Sequence, residues 1–423
     1  MKKIALEKGI LLFEKVFFFI CVMHYSAAIV PLLITGGASE GDNIPMTSFN
    51  WTPSSSLYLL TYIIAFLLLT FRWKKVLSSM RVRDFLLPLL VLFAPLTTLW
   101  SLTPGETFSS AVALIGTTVL GFYFASRFTV REQLRLLGWS FVLILILSFS
   151  FIVLMPQYGI EHGVHAGAFR GVFTHKNTFG KFLVLTVILF LTLVLVEKPK
   201  NIAVFRFGLL MSFIFLPLSR SSSSLLNACF LAVLAFLLYR ILHFKVKVLI
   251  PSVILIILSI WAFSFISQGI AETFAGFFGK DLTLTGRTEI WGAVIEKIQE
   301  RPLQGYGFSS FWAQSPSNIL RTFGWMPPNA HNGFLDLALD LGVTGLLLYC
   351  LISLRILVKS FFLSRRIYID SVSFWPFIFF LFTLLTNLTE SGLFGRNSIY
   401  PLLFISLYFS FFYFPKGPAL TSQ

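Results

Sequence analysis

Five short stretches of this chain hold polar groups that the apolar runs around them do not require. The first is Arg170-Gly171-Val172-Phe173-Thr174-His175-Lys176-Asn177-Thr178-Phe179-Gly180-Lys181. On a helix, Thr174, Asn177 or Thr178, and Lys181 share one face. Snorkelling accounts for Lys181 but poorly for the density of His175, Lys176 and Asn177. The second is Ser219-Arg220-Ser221-Ser222, which taken alone reads as a tight turn with one snorkelling arginine rather than as a site. The third, Thr285-Gly286-Arg287-Thr288, opens a helix. Free N–H groups at a helix start together with an arginine make an anion site, although an ordinary helix start has the same residues. The fourth is Asn329-Ala330-His331-Asn332-Gly333. A histidine where a helix enters apolar surroundings can titrate near neutral pH and reach a substrate hydroxyl; the alternative is a hydrogen-bonded cap. The fifth is Glu390-Ser391-Gly392 with Arg396-Asn397, a polar turn in which Glu390 and Arg396 could simply pair. Glu161, Asp336, Asp340 and Glu390 are the acids available to assist the histidine.

Arginine is the preferred fork for diphosphate oxygens. Several arginines and one histidine suit a donor whose diphosphate is already a good leaving group. Such a protein needs only to neutralise the diphosphate, place the acceptor and accept its proton. There is no Asp-x-Asp and no His/Asp/Glu cluster at metal spacing, so no metal or other cofactor is expected.

The elements that must hold these groups are membrane helices. Hydrophobic residues make up 56% of the 423 and charged residues 12%, with a mean hydropathy of +0.83. Apolar runs of bilayer-spanning length recur along the whole chain. Twelve are expected, at about 12–34, 56–71, 84–100, 107–126, 134–155, 172–196, 203–218, 224–242, 248–267, 332–357, 372–389 and 398–414. The fold expected is therefore an all-α polytopic membrane protein, one domain over 1–423, with a long loop at 268–331 between spans nine and ten. Within that loop Ile290, Trp291, Val294, Ile295 and Ile298 share one helical face, so 288–301 is an amphipathic helix lying across the bundle mouth or on the membrane surface. The three cysteines sit in apolar runs and read as packing residues.

The 33 Lys and Arg are sorted by loop. Twenty-three of them, including Arg72, Arg81, Arg83, Arg127, Arg355 and Lys359, cluster on one side, which the positive-inside rule makes cytoplasmic along with both termini. Their orienting role is sufficient reason for them. Arg170, Lys176, Lys181, Arg220, Arg287 and Arg396 are on the other side, at the mouth of the bundle. The formal charge of +15 is spread over loop flanks, so membrane lipids and not nucleic acid are the expected partners.

The run Arg170-Gly171-Val172-Phe173-x-His175-Lys176-Asn177-x-x-Gly180 resembles the signature of the O-antigen ligase and Wzy polymerase superfamily. So do Thr285-Gly286-Arg287-x-x-x-Trp291, Pro302-Leu303-x-Gly305-x-Gly307, and His331-Asn332 with Gly342 and Gly345. Ser219-Arg220 stands where that superfamily has an outer arginine. The resemblance covers roughly 85–410, and its four motifs occur in order. It implies a GT-C-like membrane glycosyltransferase with a large periplasmic loop. Members move a glycan from undecaprenyl diphosphate to an acceptor hydroxyl without metal, inverting the anomeric centre. The acceptor is lipid A-core in ligases and another lipid-linked glycan in polymerases. By the resemblance, Arg220 and Arg287 bind the diphosphate and His331 activates the acceptor. Arg170, His175, Lys176, Asn177 and Lys181 line the donor site, and Asn332, Glu390, Arg396 and Glu161 assist. The His-Lys-Asn wording is closest to exopolysaccharide-type members. Two other readings compete: a transporter or flippase that captures an anionic lipid, and a non-catalytic subunit of envelope assembly. A flippase should carry cations through the depth of the bundle.

Overall fold

The computed structural model describes residues 2–39, 42, 50–197, 200–242, 287–313, 329–364 and 371–414. These residues are helical, with one isolated antiparallel bridge between Ile160 and Phe169. Six described helices are long and apolar enough to cross a membrane: Thr52–Phe71, Pro104–Arg127, Val130–Leu154, Lys176–Val196, Ser222–Tyr239 and Gly333–Phe362. Four shorter apolar helices accompany them: Leu86–Leu99, Ile202–Leu218, Phe374–Thr389 and Ile399–Phe412. An apolar run forms a helix in such surroundings because only local pairing satisfies its backbone. Span nine at 248–267 and the loop residues Thr285 and Gly286 lie outside the described residues.

The Lys176 helix is apolar all round because it is central. Phe179, Leu183, Val184, Leu185, Val187 and Ile188 are each 0% exposed. Its neighbours approach closely where side chains are small. A Cβ on Gly180 would meet Ser224 Oγ at 2.5 Å, and one on Gly121 would meet Ile405 Cγ2 at 2.7 Å. These contacts seat the Ser222 helix beside the Lys176 helix and the Ile399 helix beside the Pro104 helix.

Two expected spans are not continuous helices. The run at 12–34 divides into Lys2–Tyr25 and Val30–Ile34. Pro31 bars one helix through the junction, since its ring would strike the carbonyl of residue 27. The chain instead turns there, with φ of 57° at Ala27 and 67° at Ile29.

The second break is in the Gly333–Ser364 helix, where Gly342 has φ 66° and ψ −175°. This break frees backbone groups at membrane depth, each costly unless paired. The segment 302–307 pairs them. Tyr306 N donates to Leu339 O at 2.8 Å, Gly307 N to Asp340 O at 3.1 Å, and Val343 N to Pro302 O at 2.7 Å. Gly305 fits because it has no Cβ, which would lie 2.6 Å from Asp340 O and Gly342 N. The 302–307 segment is thus a strap laid into the broken helix.

The Arg287–Glu300 helix is docked by the same strap. Tyr306 donates its hydroxyl to Lys297 O and also bonds Glu300 Oε2, both at 2.9 Å. Burial and the Glu300 hydrogen bond push the Tyr306 phenol up to about 12. Ile290 and Val294 are buried in a cluster with Tyr306, Ala330 and Leu339, while Ile295 stays 45% exposed. The amphipathic face therefore packs on the bundle.

Candidate active site

His331 sits in a left-handed turn, φ 49°, one residue before Asn332 caps the Gly333 helix. Asn332 Oδ1 accepts from Phe334 N at 3.0 Å and Leu335 N at 3.2 Å. Asn329 Oδ1 accepts from His331 N at 2.9 Å. Two local caps therefore fix the turn on both sides of the histidine. The His331 ring is partly open. Its Nδ1 lies 3.8 Å from Glu390 Oε2 and makes no hydrogen bond among the described residues.

Three other elements hold this turn. Trp291 Nε1 donates to Ala330 O at 2.8 Å. Trp291 is one helical turn from residue 287, which places the start of the Arg287 helix beside the His331 turn. Asp336 Oδ1 accepts from Ala330 N at 3.0 Å and from Trp312 Nε1 at 2.8 Å. The Ser391 hydroxyl bonds Asp336 Oδ2, and it also bonds Asn329 Oδ1 at 3.1 Å. Helical spacing puts Asp336 on the face opposite His331, but His331 is on a turn and not on the helix. Asp336 consequently stands directly beneath the turn. Ser391 and Asp336 were within reach of the sequence, in the fifth polar stretch and among the candidate acids, whereas Trp312 carries no motif and only the fold reveals it.

Lys181 links this cluster to the Lys176 helix. It is 8% exposed; its Nζ donates to Ser391 O at 3.0 Å and lies 4.6 Å from the Tyr400 ring centroid. Gly392 makes room for it, since a Cβ there would fall 2.7 Å from Nζ.

The start of the Lys176 helix, about 9 Å along its axis from Lys181, holds a second cluster. His175 Nδ1 accepts from Asn177 N at 3.1 Å and so caps the helix. His175 Nε2 lies 4.0 Å from Glu161 Oε1, an atom that also accepts from Lys176 N. The Glu161 carboxylate is enclosed, and its Oε2 takes no hydrogen bond among the described residues. The His165 ring meets the His175 ring edge-on at 5.5 Å between centroids. Arg220, exposed and at φ 49°, donates from Nη1 to Ala166 O at 3.0 Å and faces Gly167 of the same loop.

Two expected site residues are placed differently. Arg170 is 0% exposed, and its N–H groups all point at protein oxygens. Nε donates to Tyr158 O at 2.8 Å, Nη1 to Ala38 O at 2.9 Å and Ser39 Oγ at 3.0 Å, and Nη2 to Gln157 O at 3.3 Å and to Gly37 O. Burial holds this guanidinium below its ordinary value, while Glu161 and Asp42 act against that shift. With no N–H left for a phosphate, Arg170 ties the first loop to the 157–174 loop. Arg396 turns away from Glu390. Its Nη1 pairs with Glu106 Oε2 at 3.6 Å and its Nη2 donates to Ser109 Oγ. Glu390 faces His331 instead. Among the described residues no three of His, Cys, Asp and Glu converge as metal ligands.

Residues 207–350 match the O-antigen ligase family (Wzy_C). Over that segment the chain is similar to O-antigen ligases. It is also 26% identical over 284 residues to the exopolysaccharide production protein ExoQ of Rhizobium meliloti (strain 1021). That match takes in 64% of this chain and spans 63% of the length of ExoQ. The ligase match contains Arg220, Arg287, His331, Asn332 and the broken helix at Gly342. Glu161, the His175-Lys176-Asn177 start and Glu390 lie outside that match and reach the same end of the bundle through the contacts above.

Proposed function

We propose that this chain is a polysaccharide ligase or polymerase that transfers a glycan from undecaprenyl diphosphate to an acceptor hydroxyl on the periplasmic side of the inner membrane, without a metal. The observation that carries the reading is the His331 turn. It ties a histidine, the Glu390 carboxylate and the start of the Arg287 helix to one spot at the mouth of the bundle.

In this reading the acceptor oxygen attacks the anomeric carbon on the face opposite the diphosphate. The anomeric carbon–oxygen bond to the diphosphate breaks, and its electron pair leaves on the diphosphate. The acceptor proton passes to Nε2 of His331. Glu390, across from Nδ1, stabilises the imidazolium that forms, as a buried carboxylate does beside a catalytic histidine. Arg220 and Arg287 neutralise charge growing on the leaving diphosphate. Lys176 and Asn177 border the donor, while Lys181 holds the Ser391 loop against the site. His175, Glu161 and Arg170 shape the loop that presents Arg220. The backside attack inverts the anomeric centre. The acceptor is a second lipid-linked glycan in a polymerase and lipid A-core in a ligase. Likeness to an exopolysaccharide production protein favours the polymerase.

The test is complementation of a strain lacking the gene with His331→Ala or Arg287→Ala. Both variants are expected at normal membrane levels with polymer yield lost. Normal polymer length and yield from both would overturn the proposal and leave the non-catalytic reading.

A further inference from the structure

A second charged cluster lies away from His331, some 24 residues further along the chain towards the far end of the Gly333 helix. Asp84 is 3% exposed and accepts from Tyr408 Oη at 2.6 Å and from Leu86 N at 2.8 Å. Arg355 Nη1 pairs with its other oxygen at 2.7 Å, and the Arg355 side chain is still 50% exposed. Lys359, one turn further on, donates to Phe411 O and stands 4.5 Å from the Phe412 ring centroid. Arg83 is exposed and adjoins Asp84 in the chain.

Three cations are thus gathered near one buried carboxylate, which Arg355 alone is seen to pair with. The positive-inside rule accounts for their sign and their side. It does not account for crowding them round a single buried acid, where each repels the next in a medium that screens poorly. An anion brought to the open side of the cluster relieves that repulsion.

The surface beside the cluster says which anion. Arg355, Val358, Lys359 and Phe362 follow the i, i+3, i+4, i+7 spacing and form one helical stripe that is half cationic and half apolar. Val358 is 45% exposed, Phe362 55%, and Phe85, two residues from Arg83, 71%. A free phosphate has no use for this apolar border, whereas acyl chains below a headgroup do. Basic recesses between helix ends on the positive side bind anionic headgroups in this way.

We propose that Arg83, Arg355 and Lys359 form a binding site for the phosphate of an anionic phospholipid, whose acyl chains run along Phe85, Val358 and Phe362. This site is independent of the transferase reading, because none of its residues touches the His331 cluster.

The test titrates the full-length chain in detergent with short-chain phosphatidylglycerol, with phosphatidylcholine of the same chain length, and with inorganic phosphate. Bound ligand is read by native mass spectrometry. Phosphatidylglycerol is expected to bind saturably and about 25-fold more tightly than phosphatidylcholine, two cation contacts of about fivefold each being worth roughly that much. Arg83→Gln and Lys359→Gln are each expected to weaken phosphatidylglycerol by roughly fivefold. Both should leave phosphatidylcholine binding and glycan transfer unchanged, and Arg83→Lys should restore the preference. Equal affinity for the two lipids in the parent protein would overturn the proposal without recourse to any variant. So would unaltered selectivity in folded Arg83→Gln, or displacement of phosphatidylglycerol by inorganic phosphate at equal concentration.

Discussion

Gly342→Ala is the substitution that most directly tests how the site is held. Gly342 has φ 66° and ψ −175°, a region that is essentially glycine-only and costs other residues about 1–3 kcal/mol. Space is a second obstacle. A Cβ would lie 2.3 Å from Leu303 O and 2.4 Å from Leu303 C, which are backbone atoms with no rotamer to change. Relief requires the strap to withdraw, which breaks its bonds at Leu339 O, Asp340 O and Val343 N. Each such bond is worth about 1 kcal/mol net, and more where a buried group is left orphaned. Together these effects amount to roughly 4–6 kcal/mol, a large share of a typical folding stability. Melting followed by tryptophan fluorescence in micelles should fall by on the order of 10 °C. Proteolysis within 301–313 should quicken, and glycan transfer should drop with it, because the strap carries the Arg287 helix. Gly292→Ala is the control. It lies inside that helix with nothing within 4 Å of its Cβ, so it should be neutral or stabilising by about 0.5–1 kcal/mol. A Gly342→Ala protein that melts within 2 °C of the parent and resists protease equally would refute the strap argument.

Three further outcomes follow from the site. Glu390→Gln keeps shape but removes a charge 3.8 Å from the His331 ring. At an effective dielectric between about 80 and 20 that charge is worth roughly 1–4 kcal/mol to the imidazolium, so kcat should fall by about fivefold to a thousandfold with KM little changed. An unchanged kcat contradicts the dyad. Arg170→Lys cannot reproduce a five-donor fork and orphans several buried carbonyls, so stability should fall by about 3 kcal/mol or more; a raised donor KM at parental stability would instead return Arg170 to the donor site. Trp291→Phe loses the 2.8 Å bond to Ala330 O. It should reduce transfer about tenfold for a melting change of only a few degrees, consistent with one hydrogen bond of about 1 kcal/mol that positions the turn, and parental kinetics would show that the turn needs no such anchor.

The six bilayer-length helices among the described residues were legible because an apolar run of that length has few other states. The amphipathic Arg287 helix was legible for the same reason, from the spacing of Ile290, Val294 and Ile298. The breaks were less so. Gly342 reads as a small residue for close helix contact, and its left-handed backbone is visible only with the strap in place. Charge sorting separated Arg220, Arg287 and His331 from the orienting cations, but it could not separate Arg170. That arginine is partnered by main-chain carbonyls of Gly37, Ala38, Gln157 and Tyr158, and a carbonyl has no signature in sequence. On a helix wheel His331 and Asp336 stand on opposite faces. The φ of 49° at His331 removes it from the wheel and brings Asp336 beneath it. The pairing of Glu390 with His331, and of Arg396 with Glu106, likewise depends on how two loops fold back.

In the proposed mechanism His331 and the arginines activate transfer from a lipid diphosphate. The measurement is made on purified protein in liposomes with an undecaprenyl-diphosphate oligosaccharide and a glycan acceptor, reading released undecaprenyl diphosphate and the anomeric configuration of the product. One diphosphate released per glycan joined and an inverted configuration are expected from the parent protein, and neither product from His331→Ala. Transfer by His331→Ala at the parent rate, or a product of retained configuration, would contradict this mechanism.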